Sequence, residues 1–231
     1  MSRSVHRNRV FRNTPLSRVF LPIAAASRRD LIERLLQLVA GLFLYGVALG
    51  LMIRGGIGVA PWDVLSLGLA GSSGLGYGLM TNLTAVVVLL LWIPLRQRVG
   101  LGTVVNALLI GPSADIALAV IPPMPSIWAG APLFLAGLVL LAFATGLYIA
   151  ADFGPGPRDG LMTGLVRTTG WPVWLVRTLI EGTVLVIGFL LGGPVGVGTV
   201  MFAFGVGPLI GWFLPVISRM REKRSRMLAE A

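Results

Sequence analysis

The chain has 231 residues, of which 55% are hydrophobic and only 12% charged, and its mean hydropathy is +0.87. A soluble domain usually has about a quarter of its residues charged, so too few polar side chains exist here to cover a soluble surface. The hydrophobicity equally excludes a disordered chain.

There are no cysteines and one histidine, His6, which stands in an arginine-rich arm. Thiolate metal sites, histidine metal clusters and Ser-His-Asp chemistry are therefore excluded from the apolar body, and no cofactor is expected. What remains is an all-α polytopic membrane helix bundle.

The net charge of +10 belongs to the two ends. Residues 1–34 hold Arg3, Arg7, Arg9, Arg12, Arg18, Arg28, Arg29 and Arg34. The stretch from Arg219 to Arg226 holds five more basic residues. Between Leu35 and Ser218 there are six basic and five acidic residues, so the body is nearly neutral. Such ends are the usual basic flanks of membrane spans. They point to anionic lipid headgroups rather than to nucleic acid.

In chain order, residues 1–31 read as a basic cytoplasmic arm. Its short apolar run, Val19–Ala26, contains Pro22 and is at the weak end of what a cleaved signal needs, so the arm reads as uncleaved. Six stretches then suffice to cross a hydrocarbon core, which takes about 20 residues of helix. They are Ile32–Ile53, Tyr77–Leu95, Leu101–Ile121, Pro132–Ala151, Trp171–Leu191 and Gly196–Ile217. The apolar segment Ile57–Gly71 is too short to span and reads as a re-entrant or interfacial helix. Basic connections, one holding Arg96 and Arg98 and another Arg158 and Arg167, alternate with nearly neutral ones. The positive-inside rule then puts both termini in the cytoplasm, with residues 122–131 and 192–195 outside.

The chain repeats itself. Residues 40–121 overlay residues 136–217 without a gap, and more than a third of the pairs are identical. GIGVAPWDVLSLGL (56–69) lies on DFGPGPRDGLMTGL (152–165). VGLGTVVNALLIGP (99–112) lies on VGVGTVMFAFGVGP (195–208). The organisation is a first membrane repeat (32–121), an external loop (122–131), a second membrane repeat (132–217) and a basic cytoplasmic tail (218–231). Three spans per copy is an odd number, so the second copy enters the membrane from the opposite side. That is the inverted arrangement of many secondary transporters.

Three features could carry chemistry. Asp63 and Asp159 follow Pro61 and Pro157 by two residues. Proline at a first helical position loses no hydrogen bond, and a carboxylate suits the positive dipole end, so both read as helix starts. They either stabilise two short helices or frame a site for a cation, a proton or an anion between two half-helices. The second feature is a matched helix break, Gly111-Pro112 and Gly207-Pro208, about 17 Å into the third and sixth spans. Proline frees a carbonyl a turn earlier, which must find a partner or face a wet cavity. The third feature is ionisable side chains inside spans. Arg177 and Glu181 share one face of the fifth span, about 9 and 15 Å deep, and Asp115 lies one turn beyond Pro112. Each charge at such depth costs at least about 2.5–3.5 kcal/mol, so these residues should face the interior and pair. Their repeat counterparts are Thr81, Ala85 and Gly211, so the charge is asymmetric on a symmetric frame. Asn82 and Asn106 read as interhelical hydrogen-bond formers.

With these residues in hand, the sequence resembles the YczE/YyaS/YitT group of bacterial integral membrane proteins, and within it the YczE-like branch. The match rests on GIGVAPWDVL (56–65), VRTLIEGTVLVIGFLLGG (176–193) and VGVGTVMFAFGVGP (195–208). It covers roughly residues 32–217 and neither end. The resemblance implies a multi-pass plasma-membrane protein, and it supplies no substrate and no site residue. The expected function is a small secondary transporter of a small molecule or ion, proton- or cation-coupled, with Glu181 tuned by Arg177 as the carrier. The alternative is a non-transporting scaffold for a partner protein. The carboxylates match no catalytic motif, so no enzyme is expected.

Overall fold

Eight helices follow one another in the computed structural model, which describes residues 28–230. They are α1 (Arg28–Gly55), α2 (Pro61–Ser73), α3 (Tyr77–Leu95), α4 (Leu101–Val120), α5 (Ile127–Ala150), α6 (Pro157–Thr169), α7 (Val173–Leu190) and α8 (Val197–Glu230). The arm up to residue 27, with its apolar run Val19–Ala26, lies outside the described residues. All the helices except α2 and α6 are long and apolar enough to cross a membrane, six in all among the described residues. They fall where the hydropathy places the six spans.

The two short helices have 13 residues each. At 1.5 Å per residue they reach about 20 Å, too little for a hydrocarbon core of about 30 Å. Each starts on its proline, behind an extended residue, Ala60 or Gly156. Each ends on a glycine in the left-handed region, Gly74 at φ 73° and Gly170 at φ 71°. Gly58 (φ 113°) and Gly154 (φ 108°) turn the chain into them. All these positions match at a spacing of 96 residues.

The centre of the bundle is α1 packed on α4 and α5, with α8 behind α5. Leu38, Leu42, Leu49 and Met52 of α1 meet Phe134, Leu138 and Leu141 of α5 in one buried cluster. Small residues let the backbones approach. A Cβ at Gly46 would stand 2.6 Å from the Ile110 carbonyl oxygen, and one at Gly137 would stand 2.9 Å from that of Ala48. Close approach of this kind replaces the hydrophobic drive that lipid removes. A second buried cluster, Trp62, Val88, Trp92, Leu161 and Val184, joins α2, α3, α6 and α7.

Contacts between the copies are exchanged. Helix α2 packs on α7, and its counterpart α6 packs on α3. The Gly102 amide donates to the Phe153 carbonyl at 2.8 Å, and the Gly198 amide donates to that of Ile57 at 2.7 Å.

Helix α1 begins at Arg28, inside the stretch read as the arm, and two other boundaries differ more widely from the sequence reading. Helix α5 begins at Ile127, because the Ser126 hydroxyl accepts from the Ala129 amide and caps it. Pro132 therefore sits inside the helix. Helix α8 runs past residue 218 without a break, so most of the basic tail is helical. Its Arg221 pairs with Asp30, and Arg224 makes a two-bonded contact with Glu33, at 2.6 and 2.8 Å. Arg34 pairs with Asp152 at 3.3 Å in the α5–α6 link. Burial pushes the Asp152 carboxyl up from its ordinary value, and Arg34 opposes that.

Candidate functional site

The linking segments 56–60 and 152–156, each turned by two residues at positive φ, carry the starts of α2 and α6 into the bundle. There they border a cavity of about 160 Å³. Residues from all eight helices line it.

Asp63 is 1% exposed. It accepts a hydrogen bond from the Tyr77 hydroxyl at 2.9 Å, and a guanidinium nitrogen of Arg158 lies 3.8 Å away. The same guanidinium sits over the Trp62 ring, 5.1 Å from its centroid. A cation on an aromatic face is attracted by the ring's charge distribution, more strongly where water is excluded. Asp159 accepts from the Tyr148 hydroxyl at 2.6 Å. The Tyr148 ring meets that of Tyr45 edge to face, with centroids 6.2 Å apart. On α7 the Arg177 Nε donates to Glu181 at 2.9 Å, and both residues line the cavity.

The cavity thus brings together Asp63, Asp159, Arg177 and Glu181. Asn82 and Asn106 line it as well, and the other sequence candidates lie away from it. Asp115 accepts from the Gly78 amide at 2.9 Å and satisfies a free donor in the first turn of α3. Gly111 and Pro112 sit at a bridged break in α4. Pro112 has no N–H to give Leu108, so the Asn82 amide of α3 donates to the Leu108 carbonyl at 3.1 Å. The Asn82 side-chain oxygen accepts from the Gly111 amide, also at 3.1 Å. Gly207 and Pro208 lie on α8 with open space at Gly207, one turn from a Phe204 that is 78% exposed. Their chain neighbours Ile110 and Val206, themselves a matched pair, do line the cavity.

Sequence reasoning missed Arg158, which it treated as a basic connection residue. The signal was present, because PRD overlays PWD at matched positions. It also missed the tyrosines. The chain has three, Tyr45, Tyr77 and Tyr148, and every one either lines the cavity or holds one of its carboxylates.

Residues 32–215 match a family described as a family of unknown function, DUF6198. The chain belongs to this family. A protein of Haemophilus influenzae named "Uncharacterized protein" is 37% identical to it over 183 residues, which are 79% of this chain and 84% of that one. The "Uncharacterized membrane protein YczE" of Bacillus subtilis is 31% identical over 81% of this chain and 88% of its own length. The "Uncharacterized protein YyaS" of the same organism is 28% identical over 80% and 94%. No solved structure matches. The family match takes in both short helices and every residue of the cavity wall.

Proposed function

We propose that the chain is a small secondary transporter of the plasma membrane, with both termini in the cytoplasm. The solute and its coupling proton or cation share the cavity between two inverted three-span repeats. One observation carries this reading: two matched short helices bring their N-termini, with Asp63, Arg158 and Asp159, to one cavity inside a membrane bundle. Interrupted elements at matched positions are where secondary transporters hold their ligands.

The exchanged contacts support the inversion. When residue i of one copy meets residue j of the other and j meets i in return, the two copies share a two-fold axis. The pairs Gly102–Phe153 and Gly198–Ile57 have that form. An odd number of spans per copy then lays the axis in the membrane plane. Glu181, held by Arg177, is the carrier of the coupling ion. Arg28, Arg29 and Lys223 face anionic headgroups at the cytoplasmic end.

The test is a thermal-shift screen of ions and metabolites on detergent-purified protein, since a ligand that binds only the folded state raises its stability. Each hit is then followed as flux into proteoliposomes. A stabilising solute that is also taken up, with uptake lost in Glu181→Gln, is the expected result. A chain that co-purifies with a protein partner, and keeps it in Glu181→Gln while moving no solute, is a scaffold.

A further inference from the structure

We propose that the cavity takes a monovalent organic ammonium ion with a small apolar body, its charged head on Asp159. This rests on reading the cavity as a solute site and names the class of solute.

The cavity holds three carboxylates, Asp63, Asp159 and Glu181, and two guanidiniums, Arg158 and Arg177. Asp63 has Arg158 at 3.8 Å and Glu181 has Arg177 at 2.9 Å. The side-chain partner of Asp159 is the neutral hydroxyl of Tyr148, at 2.6 Å. The wall therefore carries one more acidic than basic side chain, and among its three carboxylates Asp159 is the one with no guanidinium within 4 Å, although Arg158 lies next to it in the chain. Charges inside a membrane are paired, so one positive charge completes the site.

The surroundings of Asp159 select among cations. The absent side chain of Gly156 leaves a narrow hollow beside it, too tight for a Cβ without shifts. A Cβ there would come 3.1 Å from the Asn106 amide, 3.3 Å from Asp159 Oδ2 and 3.4 Å from the Tyr148 hydroxyl. Among the described residues, no three acidic or histidine side chains converge as a metal would require. Hard metal ions take six or more oxygen ligands, and this hollow offers one carboxylate. An ammonium group needs only a carboxylate, an acceptor or two, and an aromatic face. Tyr45 and Tyr148, edge to face with each other, line the same cavity and are the aromatic rings nearest to hand for such a group. The Trp62 face is already taken by Arg158.

Much of the rest of the wall is apolar, with Leu49, Ile110, Leu141, Phe202 and Val206 among its residues. A ligand with an apolar body fits it, as most small-molecule pockets prefer. Thr81 lines the same cavity at 4% exposure, with the Tyr77 hydroxyl as its side-chain neighbour.

The probes are n-butylammonium, n-butyrate, n-butanol and sodium, titrated into the detergent-purified full chain at constant ionic strength. Butylammonium should raise the melting temperature in a saturable way, and the other three should not. Asp159→Asn should weaken butylammonium by about tenfold to a hundredfold, the loss of a hydrogen-bonded charge contact. Where that variant does not fold, Tyr148→Phe carries the test: it removes the hydroxyl that orients Asp159 and should weaken butylammonium, read as its dissociation constant by titration. Stabilisation by butyrate, by sodium alone, or equally by butanol overturns the proposal. So does butylammonium affinity unchanged in both variants. Flux separates the two readings. Ammonium binding without uptake in proteoliposomes keeps this inference and overturns the transporter. Uptake of an anion without ammonium binding does the reverse.

Discussion

Trp62 and Arg158 occupy the same position in the two copies of the repeat, and in the folded chain they stack on each other. On the inverted-repeat reading, a position that meets its own counterpart marks the axis between the copies. Two arginines there would repel, and two tryptophans would leave Asp63 without a charged neighbour. One of each lets the guanidinium lie on the ring and face Asp63 at 3.8 Å. The symmetric frame is thus broken where the charge is needed.

Removing that guanidinium should be costly. Arg158→Met leaves Asp63, 1% exposed, without its cation. Losing one member of a buried pair costs about 3–5 kcal/mol. The lower end applies here, since the Arg158 side chain is 25% exposed to the cavity. Asp63→Asn combined with Arg158→Met should recover most of the lost melting temperature. Thermal unfolding of the two singles and the double in detergent measures this.

Arg177 and Glu181 should behave differently. Their side chains are 41% and 24% exposed, and they form an i,i+4 pair on one helix. Such pairs contribute under about 1 kcal/mol. Glu181→Gln should therefore leave yield and melting temperature nearly unchanged and abolish coupled uptake. The Arg177→Gln/Glu181→Gln double should fold and stay inactive. Full uptake by the double would remove Glu181 from the mechanism.

The break in α4 gives a non-additive pair. Asn82→Leu strips the partner from the Leu108 carbonyl. An unsatisfied buried polar group costs about 1–3 kcal/mol. Pro112→Ala restores an N–H for that carbonyl, so Asn82→Leu should cost markedly less in the Pro112→Ala background. A double-mutant cycle on melting temperature reads the difference.

Much of the architecture was legible. The six spans follow from runs of apolar residues, and the two short helices follow from the Pro-x-Asp starts and the 96-residue spacing. The cavity was only partly legible, for a geometric reason. Counting residues gives depth along a span but not the direction a side chain faces. Asp115 and Glu181 both read as deep carboxylates. One turned out to satisfy a backbone amide of α3 and the other to line the cavity. Arg158 was hidden because an arginine between two spans looks like a topology signal. Nothing local shows that a linking segment carries it back into the bundle. Asn82 drew notice as an interhelical residue, but its link to Pro112 needed the register of α3 against α4.

Glycine positions separate packing from propensity. A Cβ at Gly188 would press on the backbone of Val64 and Leu65, with the nearest carbons at 2.6 Å. Backbone cannot swing aside, so Gly188→Ala should destabilise by roughly 1–3 kcal/mol, as overpacking does. Gly182, six residues away on the same helix, has nothing within 4 Å. There alanine should be neutral or stabilising by about 0.5–1 kcal/mol through helix propensity. Thermal shifts of the two variants side by side check the packing of α7 on α2.

The central claim is that the cavity between the two halves opens in turn to each side of the membrane. The chain has no cysteine, so Ala85→Cys gives one thiol on the cavity wall, at the position matched to Glu181. Ser126→Cys, in the α4–α5 link, serves as the outside control. A membrane-impermeant thiol reagent is applied to intact cells and to inside-out vesicles. The account predicts that Ala85→Cys is modified from both sides and Ser126→Cys from the outside alone. Modification of Ala85→Cys from one side only, with the Ser126 control behaving as expected, would contradict it.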